Sequence, residues 1–273
     1  MTRLQERERA LFLVFQDICR ELRINYYMVC GSTLGAVKYH GFIPWDDDLD
    51  VGLLRADYEI FCEKAGALLP EGLFLQNYRT DPAFPLVITK IRDSRTTFVE
   101  TQFSHLPMNH GVYIDVFPLD GYPAGRAEQR WFEVRKFCFN KLRVFAYRYG
   151  WQTFRLQRIL RWYDLLLSTY PVENSALICN FGNWQKKLEY APREQYGPGT
   201  MGTFEGIPVR LPQNYDAYLT QKYGNYRADL PPEKQNSGHR VAICDPNRPY
   251  TDYIVKLENG KIRLKKPDEL QDD

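Results

Sequence analysis

Gly31-Ser32-Thr33-Leu34-Gly35-Ala36-Val37, followed by His40-Gly41-Phe42-Ile43-Pro44-Trp45-Asp46-Asp47-Asp48-Leu49-Asp50, is the stretch on which the reading of this chain turns. The apolar run 26–30 leads into Gly31 and reads as a short buried strand. Gly31-Ser32-Thr33 then opens a short helix through Val37, and Pro44 fixes a turn over 41–45. The run 49–54 reads as the next strand, which puts the acidic cluster at its mouth.

Four Asp stand within five residues, at 46, 47, 48 and 50. Such a cluster repels itself unless cations share it or protons neutralise it. In strand geometry Asp48 and Asp50 project from one face. Two carboxylates one strand step apart suit a hard divalent cation such as Mg²⁺, which prefers oxygen ligands. Asp115 is the candidate third carboxylate. It interrupts the apolar strand Gly111-Val112-Tyr113-Ile114-Asp115-Val116-Phe117-Pro118, where a lone buried Asp would need a partner or a metal. An acidic turn whose side chains cap backbone N–H groups is the competing interpretation. The apolar brackets Ile43-Pro44-Trp45 and Leu49, Val51 and Leu53 argue for a folded edge rather than a solvated run.

Three further groups complete the candidate site. The Gly31-Ser32 turn offers backbone N–H groups and a hydroxyl to an anion. In Lys90-Ile91-Arg92-Asp93, alternation puts Lys90 and Arg92 on one strand face, where they can neutralise phosphoryl oxygens or simply meet solvent. His239, in the Gly- and Pro-rich C-terminal stretch, is a candidate phosphate or leaving-group contact and equally a surface loop residue.

Working outward, residues 4–23 have the apolar spacing of an amphipathic helix, through Leu4, Leu11, Val14, Phe15, Ile18 and Leu22. A helix is expected over 57–69, strands over 73–77, 86–92 and 96–100, and helices from 127 to about 170 with a break near Gly150. A further helical stretch is expected over 172–190, a strand over 207–211 and a helix over 215–223. Strands come mostly before helices. The expected class is α+β: a mixed sheet with flanking helices and a helical C-terminal half. The expected divisions are a catalytic core over 1–124, a helical, basic-aromatic insertion over 125–195, and a segment over 196–273 that completes the substrate site.

The 36 basic and 34 acidic residues nearly cancel, so overall charge gives no support for a nucleic acid partner. Six cysteines lie scattered, without a Cys-x-x-Cys pair, and are expected as buried free thiols of a reducing cytoplasm. No run suggests a signal peptide or a membrane span. A cytoplasmic protein is expected, with the option of peripheral attachment at the inner face of the cell membrane.

The two quoted stretches, together with Lys90–Asp93 and the run from Gly111 to Gly121, resemble the signature of the LicD family. Tyr223-Gly224 and His239 also fit. The resemblance runs from about residue 20 to about 255 and is weakest across 125–195. It implies a nucleotidyltransferase-type fold, related to that of the fukutin proteins. It also implies transfer of phosphocholine from CDP-choline to a sugar of a surface glycan precursor, of teichoic acid or lipopolysaccharide type, or of a lipid-linked glycan. On this resemblance the metal ligands map to Asp48, Asp50 and Asp115, holding one or two Mg²⁺, with Mn²⁺ as a substitute. Lys90 and Arg92 join them as catalytic residues. Gly31, Ser32, Trp45, Asp46, Asp47, Asp93 and His239 fall on the substrate side. Asp115 or Asp46 would take the acceptor proton. A choline headgroup calls for aromatic walls; Tyr26, Tyr27, Trp45, Tyr113 and Phe117 are nearest in sequence, though strand aromatics are more often core. Rival functions are transfer from another CDP-linked alcohol, nucleotidyl transfer, and noncatalytic binding of a nucleotide or glycan.

Between residues 126 and 163, basic side chains interleave with aromatics, among them Arg130, Trp131, Arg135, Phe137, Lys141, Phe145, Arg148, Trp151 and Phe154. This pattern suits a helix lying on an anionic membrane and equally a helix packed on the catalytic domain with a solvated basic face.

Overall fold

Thr2 starts the first helix by a reciprocal cap: its Oγ1 accepts from the Gln5 N–H at 3.2 Å, while Gln5 Oε1 accepts from the Thr2 N–H at 2.9 Å. In this computed structural model, residues 1–150, 153–182, 189–238, 240–258, 262–265 and 269 are described. Helix α1 (Arg3–Leu22) ends at Arg23, whose left-handed backbone (φ 56°) turns the chain. Its apolar stripe, Leu11, Phe12, Phe15 and Ile18, is buried in the main core beside Tyr26 and Phe61.

The chain then runs through β1 (Tyr26–Met28), α2 (Cys30–Leu34), a π turn at Gly35–Tyr39, β2 (Asp50–Leu54) and α3 (Arg55–Lys64). After β3 (Leu73–Gln76), β4 (Thr89–Asp93) and β5 (Thr97–Glu100) comes the long β6 (Val112–Tyr122). The hairpin α4 (Arg126–Arg148) and α5 (Thr153–Leu167) follows, then β7 (Leu177–Asn180), β8 (Tyr190–Pro192) and α6 (Arg193–Tyr196). The chain continues with β9 (Thr200–Phe204), β10 (Ile207–Leu211), α7 (Tyr215–Tyr223), β11 (Val241–Asp245), β12 (Ile254–Lys256) and β13 (Ile262–Leu264).

The main sheet has seven strands and mixed direction. Its path is β1-β2-β6-β4-β3, with β7 joined to the far half of β6 and β8 to β7. Strands β2 and β6 are parallel and the other pairings of this sheet are antiparallel. Every residue of β6 but the last is buried, as expected for a central strand covered on both faces. The α+β class expected from the order of elements is the class observed.

One expectation is corrected. Among the described residues of 172–190 no helix of the expected kind forms: a single 3-10 turn (Val172–Asn174) leads into β7, and residues 183–188 lie outside the described residues. The short run Leu177-Ile178-Cys179 is buried against β6, and pairing there outweighs any helical period. A second correction concerns the thiols. Cys19, Cys30 and Cys179 are buried, but Cys138 and Cys244 are exposed.

Candidate active site

The register of three neighbouring strands assembles the site. Asp50 at the start of β2 stands opposite Asp115 of β6, and Asp115 stands opposite Lys90 of β4. Adjacent strands lie about 4.8 Å apart, so three charged side chains meet at the sheet centre. Asp50 and Asp115 are only 7% and 8% exposed. Asp50 Oδ1 is buried without a hydrogen-bond partner among the described residues. The Lys90 ammonium lies 3.0 Å from Asp115 Oδ1 and 3.6 Å from Glu100 of β5, and 3.2 Å from the centre of the Tyr113 ring.

Burial pushes the Asp50 carboxyl well above the usual range, and the charges of Asp48, Asp115 and Asp46 push it the same way. Burial also raises the Asp115 carboxyl, against the pull of Lys90. Each shift has the same meaning: the negative form is short of positive charge. Asp46, Asp47 and Asp48 continue the acidic wall, with carboxylate oxygens within 4.8 Å of one another. All three are half-buried, so the wall opens to solvent. An orphaned buried oxygen on Asp50, set among all-oxygen donors, fits a hard divalent cation. The carboxylate oxygens that converge within 4.8 Å are those of Asp46, Asp47 and Asp48; Asp50 and Asp115, which are not among them, would have to join Asp48 to hold it.

The Gly-Ser turn lies against this wall. Ser32 Oγ accepts the Asp50 N–H at 2.7 Å, and Asp50 O accepts the Val29 N–H at 3.2 Å, so the turn fixes the backbone of Asp50 directly. A Cβ on Gly31 would stand 2.9 Å from Asp46 Oδ2, closer than such atoms pack. A side chain at Gly31 would therefore push the Asp46 carboxylate aside. Cys30, just before, takes a left-handed backbone (φ 53°), unusual for a side chain. It is held from α7: Cys30 N–H donates to Tyr218 Oη at 3.0 Å, and Lys222 Nζ donates to Cys30 Sγ at 3.1 Å.

Other expected residues fall elsewhere. Arg92 is fully buried and donates to Gln76 Oε1 and, at 2.6 Å, to the Gly111 carbonyl. Its expected contact with phosphoryl oxygens is corrected accordingly, and it reaches the site only through Glu100, 3.7 Å away, and the Tyr113 ring. Asp93 faces away from Lys90 and binds Arg95 at 2.8 and 3.0 Å. His239 lies outside the described residues. Of the aromatic walls, Tyr26, Tyr27, Tyr113 and Phe117 are core residues, and the Tyr113 face is occupied by Lys90 and Arg92. Trp45 alone of the five is half-exposed, packed edge-on to Tyr39 at 6.0 Å.

Besides Glu100, two charged residues at the site are not marked out by the sequence analysis. Glu8 of α1 is 1% exposed, and its Oε2 lacks a hydrogen-bond partner among the described residues. Burial first, then Asp48, Asp47, Asp46 and Asp50, push its carboxyl well above the usual range. A signal was present: Glu8 lies four residues after Leu4 and three before Leu11, inside the apolar stripe. Lys222 of α7 is buried against Glu189 and Cys30, and its charge draws the Asp50 carboxyl down. Nothing in the local sequence sets it apart from a surface lysine.

Residues 23–149, which hold all of β1 to β6 and most of the site, match the LicD/FKTN/FKRP nucleotidyltransferase domain. The lipopolysaccharide cholinephosphotransferase LicD of Haemophilus influenzae is 26% identical to this chain over 88% of its length and 98% of the relative's. Uncharacterised proteins of Rickettsia prowazekii and Rickettsia typhi are 28% and 31% identical, over 48% and 45% of this chain and 46% and 42% of their own. A family domain over the acidic strand mouth, together with a relative aligned over nearly its whole length, makes the LicD family the one this chain is similar to.

Proposed function

We propose that this protein transfers phosphocholine from CDP-choline to a sugar hydroxyl of a surface glycan of lipopolysaccharide type, with Mg²⁺ as its working cation. The observation that carries the reading is the pairing of Asp50 with Asp115 at the sheet centre, in a chain 26% identical over 88% of its length to a lipopolysaccharide cholinephosphotransferase. A noncatalytic binding module would have no need of buried carboxylates so short of positive charge. A teichoic acid acceptor is the alternative within the same chemistry.

In the reaction, the acceptor oxygen forms a bond to the phosphorus that carries choline. The bond from that phosphorus to the bridging oxygen breaks, and CMP leaves. A divalent cation held by Asp48, Asp50 and Asp115 supplies Lewis-acid stabilisation of the pyrophosphate when bound. Lys90 orients Asp115 and favours its ionised form against burial. Ser32 and Gly31 hold the backbone of Asp50 and leave room for Asp46. Asp46, half-buried and open to solvent, is better placed to accept the hydroxyl proton than Asp115, which Lys90 engages. Trp45 offers an aromatic face for the quaternary ammonium at the rim.

A second reading, nucleotidyl transfer from CTP with release of pyrophosphate, is favoured by the family's nucleotidyltransferase domain. Calorimetric titration with CDP-choline, CDP, CDP-ribitol and CTP, each with and without Mg²⁺, separates them. Tighter binding of CDP-choline than of CDP or CDP-ribitol, abolished by EDTA, is expected. Equal binding of CDP and CDP-choline removes the choline assignment, and tighter binding of CTP moves the reading to nucleotidyl transfer.

A further inference from the structure

Helix α4 is apolar on two faces. One face, with Phe132, Phe139 and Ala146, is turned into the structure, where Phe132 packs on Tyr170 at 5.8 Å and Phe139 stacks on Tyr163 at 6.1 Å. These contacts set α4 and α5 antiparallel. The other face carries Trp131, Val134, Cys138, Leu142, Phe145 and Tyr149, spaced by three and four residues, and every one is exposed. Trp131 is 67% and Tyr149 66% exposed, and the stripe runs the length of the helix. At 1.5 Å per residue it is roughly 27 Å long. Helix α5 adds Phe154, Trp162 and Leu165, also exposed.

Charge gives this surface its direction. The two helices carry eight exposed Arg and Lys, among them Arg135, Lys141, Arg148 and Arg158, against one exposed acid, Glu128. The whole chain is nearly balanced, with 36 basic and 34 acidic residues. The positive charge is therefore concentrated where the aromatic side chains stand out. The inward-facing bases behave differently: Lys136 is paired with Glu133 and Arg143 donates to the Pro85 carbonyl.

We propose that the outer face of the α4–α5 hairpin seats the protein on an anionic lipid bilayer. Trp, Phe and Tyr rings fit the headgroup layer, where one end of the ring is wet and the other dry. Arg and Lys around them meet the negative surface potential of phosphatidylglycerol-type lipids. Among the described residues no helix is long and apolar enough to cross a membrane, so the attachment is peripheral. The inference stands apart from the donor and acceptor assigned above, because it rests on surface residues remote in sequence from the acidic strand mouth.

The test is co-sedimentation of the full chain with vesicles, in the absence of any substrate. One set is pure phosphatidylcholine, and the other carries about one third phosphatidylglycerol. The protein is expected to pellet with the anionic set, to remain largely in solution with the neutral set, and to be released by raised salt. Tryptophan emission should shift to the blue on binding. The variant Trp131→Gln/Phe145→Gln/Trp162→Gln, all at exposed positions, should bind at least about tenfold more weakly, and Lys141→Glu/Arg148→Glu should lose the preference for anionic lipid. Unchanged thermal melting of each variant confirms its fold. No binding to anionic vesicles overturns the proposal, as does equal binding by the aromatic variant. Self-association in lipid-free solution, dissolved by the same three substitutions, would assign the face to a second copy of the chain and would also overturn it. Transferase activity enters none of these readouts, so this proposal and the reading of the site can fail separately.

Discussion

Asp50 and Asp115 face each other across the parallel β2–β6 pair of the main sheet, both more than nine-tenths buried. Two carboxylates so placed destabilise one another and the fold around them. The arrangement is a store of unfavourable charge that a bound divalent cation would relieve.

Asp50→Asn keeps the shape of the side chain and removes one of these charges. Without metal, the variant should melt a few degrees higher than the parent protein. The gain in melting temperature that Mg²⁺ gives the parent should disappear, and turnover should fall at least about a hundredfold. A lower melting temperature without metal, or an intact Mg²⁺ response, would show that Asp50 is stabilised by its neighbours and holds no cation.

The same carboxyls set an unusual pH dependence. The raised values at Asp50, Asp115 and Glu8 mean that the metal-free folded protein binds more protons than the unfolded chain above the ordinary carboxylate range. Stability from these groups is full below about pH 4 and is lost as pH rises through their raised values. His110 acts with the opposite sign. Burial, then the Arg92 charge, lowers its pKa to about 4, and it is fully buried with Nε2 3.0 Å from the Leu106 carbonyl. Its contribution is present above pH 6.5 and is lost between there and about 4, an effect of about 3 kcal/mol. Denaturant melts from pH 4 to 8 should show a Mg²⁺-saturated protein weakened by acid, and His110→Gln should flatten that loss. A Mg²⁺-saturated parent and variant with parallel pH profiles would contradict the assignment.

Arg55 joins α5 to the sheet. Its guanidinium binds Asp120 at 2.6 and 2.7 Å and Asp164 of α5 at 3.0 Å, and the Asp120 side chain is fully buried. Arg55→Met leaves Asp120 without its counter-charge and should destabilise the protein by about 3–5 kcal/mol. Adding Asp120→Asn should recover a part of that loss. Chemical denaturation of the single and double variants measures both; a single variant within about 1 kcal/mol of the parent would make the network marginal to stability.

Gly31 and Gly111 test function and fold separately. An added methyl group at Gly31 meets the movable Asp46 carboxylate at 2.9 Å, so Gly31→Ala should raise the donor KM by about tenfold with little change in melting. At Gly111 the same methyl group meets the Asp93 backbone oxygen at 2.1 Å, and Gly111→Ala should melt several degrees lower. Steady-state kinetics and thermal melts on the two proteins decide it, and interchanged effects would remove Gly31 from the substrate side.

Much of this was legible in the sequence because local pattern and tertiary role coincide. The stripe Leu11, Phe15 and Ile18 gives α1, the run around Asp115 gives β6, and the Asp cluster sits at the mouth of β2 as its apolar brackets imply. Arg92 was harder. Alternation places it correctly on the face shared with Lys90, but only the fold shows that this end of β4 is closed by Gln76 and Gly111. The same holds for Tyr113, whose ring looked available for a ligand and is covered by two cations of its own strand neighbour. The helical expectation over 172–190 fails among the described residues because strands β7 and β8 are short, and short apolar runs carry no decisive period. Lys222 comes from almost 200 residues away, and its approach to Cys30 is purely tertiary.

The most direct test of the central claim is the release of CMP from CDP-choline in the presence of a lipopolysaccharide acceptor and Mg²⁺, followed for the parent protein and Asp50→Asn. The account predicts CMP release matched by phosphocholine incorporation, both abolished by chelation and by the substitution. CMP release that persists in Asp50→Asn or without a divalent cation, or pyrophosphate release from CTP in its place, would contradict it.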